Sequence, residues 1–225
     1  MKKGKKLHGN KETVVKVCNW LSLPLQALGC CILYLVIEAF SRHSLASAWS
    51  YMVESPWVFL YNAFLIFTTF MVVYLFRRRV LVRLVMSCFW LLLGIINGVI
   101  LANRVTPFTG PDLRNLSDGA KVVTKYLSKG TMILVAAALV ALLAFFVWVW
   151  IKGPKFQGKI RWYLNVPLIA LVIVLFTGAT NLALAKRVLS SYFVNIAFAY
   201  QDYGYPYCLA VTLFDTGISE PNGYS

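Results

Sequence analysis

Charge is scarce in this sequence. Only 13% of its 225 residues are Asp, Glu, Lys or Arg, where a soluble domain carries roughly 25%. Acid is scarcer still, with eight residues against 22 Lys and Arg. None of those acids falls near the middle of an apolar run, which argues against a proton-coupled transporter, a machine that needs carboxylates in the middle of the bilayer. The two histidines, His8 and His43, lie far apart, and the five cysteines show no C-x-x-C spacing. Neither a metal-ligand pattern nor a disulfide framework can therefore be read from the sequence. Nucleophile elbows and phosphate-cradling glycine loops are also missing. The net charge of +14 is not a nucleic-acid footprint, because the basic residues sit in short segments between apolar blocks without aromatic interleaving. No nucleic acid is expected as a partner.

What the sequence has is apolar length. Sixty per cent of its residues are hydrophobic, in blocks close to the ~20 residues that cross a bilayer as a helix. The expected fold is an all-α integral membrane protein with five transmembrane helices, at about 17–40, 57–76, 80–102, 131–151 and 163–184. Residues 1–16 form a basic N-terminal segment, 17–184 the transmembrane domain, and 185–225 an extracytoplasmic linker. Lys2, Lys3, Lys5 and Lys6 ahead of an apolar run resemble a signal peptide, and Ala46-Ser47-Ala48 mimics its cleavage site. The run from Val17 to Phe40 is too long for a signal core, so it reads as an uncleaved first helix. Ser55-Pro56 reads as a cap and first-turn proline, and Pro24 and Pro167 as first-turn prolines of their spans. Trp20, Trp57, Trp150 and Trp162 mark span ends.

Orientation follows from basic residues. With the N-terminus inside, the short inner loop carries Arg77-Arg78-Arg79 and the first outer loop a lone Arg42, which favours N-in, C-out. Two outer segments, 112–130 and 188–196, repeat apolar residues at three- and four-residue steps and read as amphipathic helices, either lying on the outer surface or packing against span ends. Glu38, Asn62, Asn97, Thr180 and Asn181 fall at similar depth near the outer ends of four spans, with Asn62 and Asn97 roughly 8 Å inside by helical rise. Glu38 and Arg42 can pair at i,i+4 if the first helix continues through Ser41. With Asn103 and Arg104 just beyond the third span, these residues are the candidate site: a lipid head-group site or interhelical hydrogen bonding. Gln26, Thr68, Thr69 and Arg83 lie outside this cluster, and Arg83 can snorkel toward the inner face.

Several stretches are similar to one known family. Ile37-Glu38-Ala39-Phe40-Ser41-Arg42-His43-Ser44 and Ser55-Pro56-Trp57-Val58-Phe59-Leu60-Tyr61-Asn62 resemble the first two helices of lipoteichoic acid synthase family proteins. Asn103-Arg104-Val105-Thr106-Pro107-Phe108-Thr109-Gly110-Pro111-Asp112-Leu113 resembles the segment after that family's third helix. Ala199-Tyr200-Gln201-Asp202-Tyr203-Gly204-Tyr205-Pro206-Tyr207-Cys208 resembles the linker into its extracellular domain, as does 215–225. That domain, of sulfatase type, uses a threonine nucleophile and a divalent metal, typically manganese, to move glycerol phosphate from phosphatidylglycerol onto a polymer. The sequence stops at Ser225 before any residue of it, so no catalytic or metal residue carries over.

The resemblance implies a membrane-anchoring, lipid-presenting domain in the plasma membrane of a Gram-positive bacterium, inactive alone. Its expected partners are the bilayer, phosphatidylglycerol or a lipid-linked polymer, and other helices. Two alternatives stand beside it: an interaction protein pairing with cell-envelope enzymes, and a small transporter or flippase.

Overall fold

A computed structural model describes residues 22–115, 129–154, 156, 160–190, 192–193 and 195–214. The basic N-terminal segment, the first residues of the first expected span, most of the expected surface helix at 112–130 and the tail from 215 lie outside them. Among the described residues, every regular element is helical: α1 (Ser22–Ser41), α2 (Leu45–Glu54), α3 (Pro56–Phe70), α4 (Arg79–Leu101), α5 (Gly110–Arg114), α6 (Lys129–Lys152), α7 (Trp162–Ala185), α8 (Ile196–Tyr203) and α9 (Tyr205–Phe214). A tighter 3₁₀ stretch, Met71–Leu75, extends α3. Four helices are long and apolar enough to cross a membrane: Ser22–Ser41, Pro56–Leu75, Arg79–Leu101 and Trp162–Ala185. The remaining expected span, 131–151, falls within α6, whose described apolar stretch is Ala137–Lys152.

Local chemistry sets the boundaries. At the end of α1, His43 takes a left-handed conformation (φ 53°), and Ser44 N–H reaches back to the Ala39 carbonyl at 3.1 Å. Those bonds satisfy carbonyls the helix leaves open. Ser44 then caps α2, accepting from Ser47 N–H at 3.2 Å. Pro56 opens α3 at its first turn as expected, but the Ser55 side chain makes no cap bond. Ser55 N–H instead closes α2 on Tyr51 O at 2.9 Å, leaving this residue as a hinge between two helices. Pro167 lies inside α7, beyond its first turn.

The centre is α1 packed against α3 and α4. Tyr34 of α1 meets Phe59 of α3 with ring centroids 4.8 Å apart. On α4, Gly94 faces Ile37, and Gly98 lies so close to Phe40 that an added Cβ would fall 2.7 Å from its carbonyl oxygen. Two glycines four apart let the helix backbones approach, as in small-residue membrane packing. α7 lies along α3, with Phe176 5.4 Å from Tyr61 and 5.6 Å from Phe64.

The bundle thus has two ends. Glu38, Asn62 and Asn97 lie toward one, and Arg78, Arg79 and Arg83 toward the other. α6 meets α4 at the arginine end, where Arg78 stacks over Trp150. α7 buries only 6% of its most apolar window, so apolar side chains such as Val174 and Leu175 face outward. Water is a poor neighbour for so large an apolar face.

One sequence expectation needs correction. Residues 188–196 were expected to form an amphipathic helix, but α8 begins only at Ile196, after turn and bend structure. Leu189 is buried while Tyr192 is exposed, and the Ser190 carbonyl accepts from Tyr207 Oη at 2.9 Å. Within 185–225, the expected linker, α8 and α9 pack onto the Glu38 end, with Tyr205, Tyr207, Cys208 and Leu209 buried. Gly204 makes the turn between α8 and α9, and Tyr200, Tyr205 and Tyr207 are buried.

Candidate functional site

Three expected site residues are fully buried, and each meets its hydrogen-bonding needs in the same way. Glu38 Oε1 accepts the Tyr34 hydroxyl at 3.0 Å and Tyr205 N–H at 3.1 Å, and its Oε2 accepts Arg42 Nε at 3.0 Å. Asn62 Oδ1 accepts Tyr207 N–H at 2.9 Å, while its Nδ2 donates to Tyr203 O at 2.8 Å and Val58 O at 2.9 Å. Asn97 Oδ1 accepts Phe108 N–H at 2.8 Å, and its Nδ2 donates to Ser41 Oγ at 2.9 Å. Each of these helix residues therefore captures a backbone N–H of a segment folded over the end of the bundle.

Tyr205 and Tyr207 lie in the first turn of α9, where helix N–H groups lack intrahelical partners. Glu38 and Asn62 supply those partners from other helices, and the carboxylate sits at the positive end of the helix dipole. Gly204 makes the approach possible. Its φ of 81° and ψ of 149° belong to a region open essentially to glycine, and a Cβ there would collide with Tyr34 Oη and Asn62 Nδ2.

Arg42 is expected beside Glu38, and it is there. Since α1 continues through Ser41, the pair forms one turn apart, and Arg42 also donates Nη2 to Gln201 O at 2.7 Å and lies 4.0 Å over the Tyr51 ring. Asn103 and Arg104 do not join the cluster. Asn103 Nδ2 bonds its own helix at Val99 O, 2.8 Å away. Arg104 holds the loop to α5 through Asp112 (Nη1 to Oδ1 3.1 Å), Thr106 O (2.9 Å) and Pro107 O (2.8 Å). Asn181 is exposed on α7. Its neighbour Thr180 makes the cross-helix bond, with Oγ1 2.8 Å from Tyr61 Oη.

Gln26 and Arg83 lie together at the arginine end, with Arg83 Nε 3.2 Å from Gln26 Oε1. Thr69 accepts the Trp90 indole N–H at 3.0 Å. The Cys208 thiol is buried, and burial, then the Glu38 and Asp202 charges, push its pKa up, which makes it a poor nucleophile.

Sequence reading missed an apolar hollow. A cleft of about 750 Å³ lies between α3, α4, α7 and α9. Leu65, Leu93, Phe176, Leu209 and Val211 give it apolar walls, and the Tyr61–Thr180 hydroxyl pair is its main polar feature. Because Thr180 Oγ1 donates to Phe176 O at 2.8 Å, Tyr61 is the donor to Thr180. No sequence signal announced this cleft, since its fourth wall is α9. A polar hollow of about 550 Å³ beside Arg42, including Ser47, Ser50, Glu54 and Asp202, shares no lining residue with it. Among the described residues no three of His, Cys, Asp or Glu converge. No protein-family model, curated protein or solved structure matches the chain.

Proposed function

We propose that the chain spans a membrane five times, N-terminus inside and C-terminus outside, and holds a lipid substrate for chemistry performed on the outer side. The observation that carries this reading is the apolar cleft of about 750 Å³ between α3, α4, α7 and α9. Ligand sites of this size combine apolar walls with a few placed polar groups. Here the walls suit an acyl chain, and the Tyr61–Thr180 pair offers hydroxyls at the Glu38 end, the outer end in this topology. The start of the α9 wall, Pro206 and Tyr207, belongs to the segment that resembles the linker of lipoteichoic acid synthase family proteins. Lipid presentation and anchoring of such a linker would then meet at one place. By the same resemblance the membrane is the plasma membrane of a Gram-positive bacterium, the lipid is phosphatidylglycerol or a lipid-linked polymer, and phosphoglycerol transfer belongs to an extracellular domain.

The test is to reconstitute the full chain in vesicles containing fluorescent phosphatidylglycerol. Ala210→Trp places a large ring in the cleft and is expected to cut lipid retained by the protein about tenfold, the scale of losing the burial of a short stretch of acyl chain. Unchanged retention in a well-folded Ala210→Trp chain would remove lipid presentation. Crosslinking of Leu65 or Val211 to a helix of another protein would replace it with helix pairing.

A further inference from the structure

At the arginine end, positive charge gathers without matching acid. Arg83 lies one helical turn beyond Arg79 and points between α1 and α4. Its Nε donates to Gln26 Oε1 at 3.2 Å and its Nη2 to Ser22 Oγ at 2.9 Å, both neutral acceptors. Among the described residues the ion pairs are Arg42–Glu38 and Arg104–Asp112, so no carboxylate there balances Arg83. Gln26 is 6% exposed, and its Nε2 is buried without a hydrogen-bond partner. Arg78 Nη1 and Arg79 Nε are likewise buried and unpartnered. A buried donor left unmatched is costly, and a cation in an apolar setting seeks a counter-charge.

Of these groups, Arg83 and Gln26 border a cavity of about 340 Å³. Ser22, Gln26 and Arg83 line its polar end, Ser87 lies one turn farther along α4, and Gly29 and Leu33 line the apolar remainder. Leu33 is eleven residues along α1 from Ser22, roughly 16 Å of helical rise. A charged group at one end and a greasy slot at the other match one ligand class.

We infer that this cavity binds an anionic phospholipid, its phosphodiester at Arg83 and Gln26 and an acyl chain along Gly29 and Leu33. In the proposed topology this lipid belongs to the inner leaflet, so the inference rests on the membrane reading. It is independent of the lipid held in the α9-walled cleft. Arg83 acts as a planar donor whose match is a phosphate oxygen, and the acyl slot excludes free phosphate from equal affinity.

The full chain is reconstituted in phosphatidylcholine nanodiscs doped with phosphatidylglycerol bearing a photoreactive group in its acyl chain, and crosslinked peptides are mapped by mass spectrometry. Labelling is expected on α1 between Leu25 and Leu33. Arg83→Gln should lower it about tenfold, the scale of one charge-assisted hydrogen bond, and Arg83→Lys should restore part of it. Gly29→Leu should lower it to a similar degree without disturbing the fold, because a Cβ at Gly29 meets nothing within 4 Å. Ala210→Trp should leave it unchanged.

Equal labelling by a photoreactive phosphatidylcholine, or labelling indifferent to both Arg83→Gln and Gly29→Leu, overturns the site. Full competition by inorganic phosphate or glycerol phosphate assigns it to a soluble anion and overturns the lipid. A chain that enters nanodiscs but shows no label on α1 ends this inference and leaves the membrane reading standing. A chain that does not enter ends both.

Discussion

Glu38 is wholly buried and serves three partners from three parts of the chain: Tyr34 in its own helix, Arg42 at that helix's end, and the Tyr205 amide that begins α9. Replacing it by Gln removes the charge opposite Arg42 and places an amide donor against other donors. Breaking one side of a buried pair costs about 3–5 kcal/mol. Glu38→Gln is expected near 3 kcal/mol, because Arg42 keeps 17% side-chain exposure and can rehydrate, and denaturant unfolding in detergent micelles measures it. Gly204 answers to a different constraint. Gly204→Ala strains the backbone and collides with Tyr34 and Asn62, so the α8–α9 turn should lose at least about 2 kcal/mol. Protease cutting near Gly204 should then precede global unfolding, and a variant as resistant as the parent would refute the tight turn.

At the level of elements, the loop between α4 and α5 shows how a charged pair shapes a segment rather than a site. Arg104 grips Asp112 together with the Thr106 and Pro107 carbonyls, which sets Phe108 N–H on Asn97. Burial raises the Asp112 pKa, but bonds from Arg104 and Thr109 outweigh it and hold the carboxyl below its ordinary 3.8. A carboxyl depressed in the folded chain adds stability that is complete above the unfolded value and lost as pH falls through the folded one. The pair is part-exposed, so its worth is at most about 1 kcal/mol. Hydrogen exchange at Phe108, corrected for intrinsic rate, should quicken in acid below about pH 4, and Asp112→Asn should abolish that acid dependence. The sequence placed Asn97, Asn62 and Glu38 at one depth because helical rise converts position into height. It said nothing of what they bond, since partners such as the Tyr205, Tyr207 and Phe108 amides lie outside the helices that carry them. Asn103, Arg104 and Asn181 left the cluster for the same reason: nearness in sequence does not fix the direction a side chain takes once a helix has ended or turned its face outward. Gly94 and Gly98, four apart on α4, were a readable signal of close packing that the polar residues overshadowed.

For the whole molecule, the decisive test is sidedness. In the proposed topology a cysteine at Arg77 is labelled by an impermeant thiol reagent only after the membrane is opened, whereas one at Val105, 74% exposed, is labelled in intact cells. The reverse pattern would invert the orientation, and labelling of both from outside would change the number of spans. The amino-acid sequence by itself determined the long apolar helices, because their backbone bonds close locally and hydrophobic length is additive along the chain. It also determined the shared depth of the buried polar residues. Only the tertiary structure decided that the expected linker contains a packed helical pair, that Glu38, Asn62 and Asn97 hold a cover in place, and that α9 completes an apolar cleft. Glu38 with Tyr205 and Asn62 with Tyr207 are pairs more than a hundred positions apart, Asn97 reaches Ser41 and Phe108 beyond its own helix, and local periodicity carries no record of such pairs.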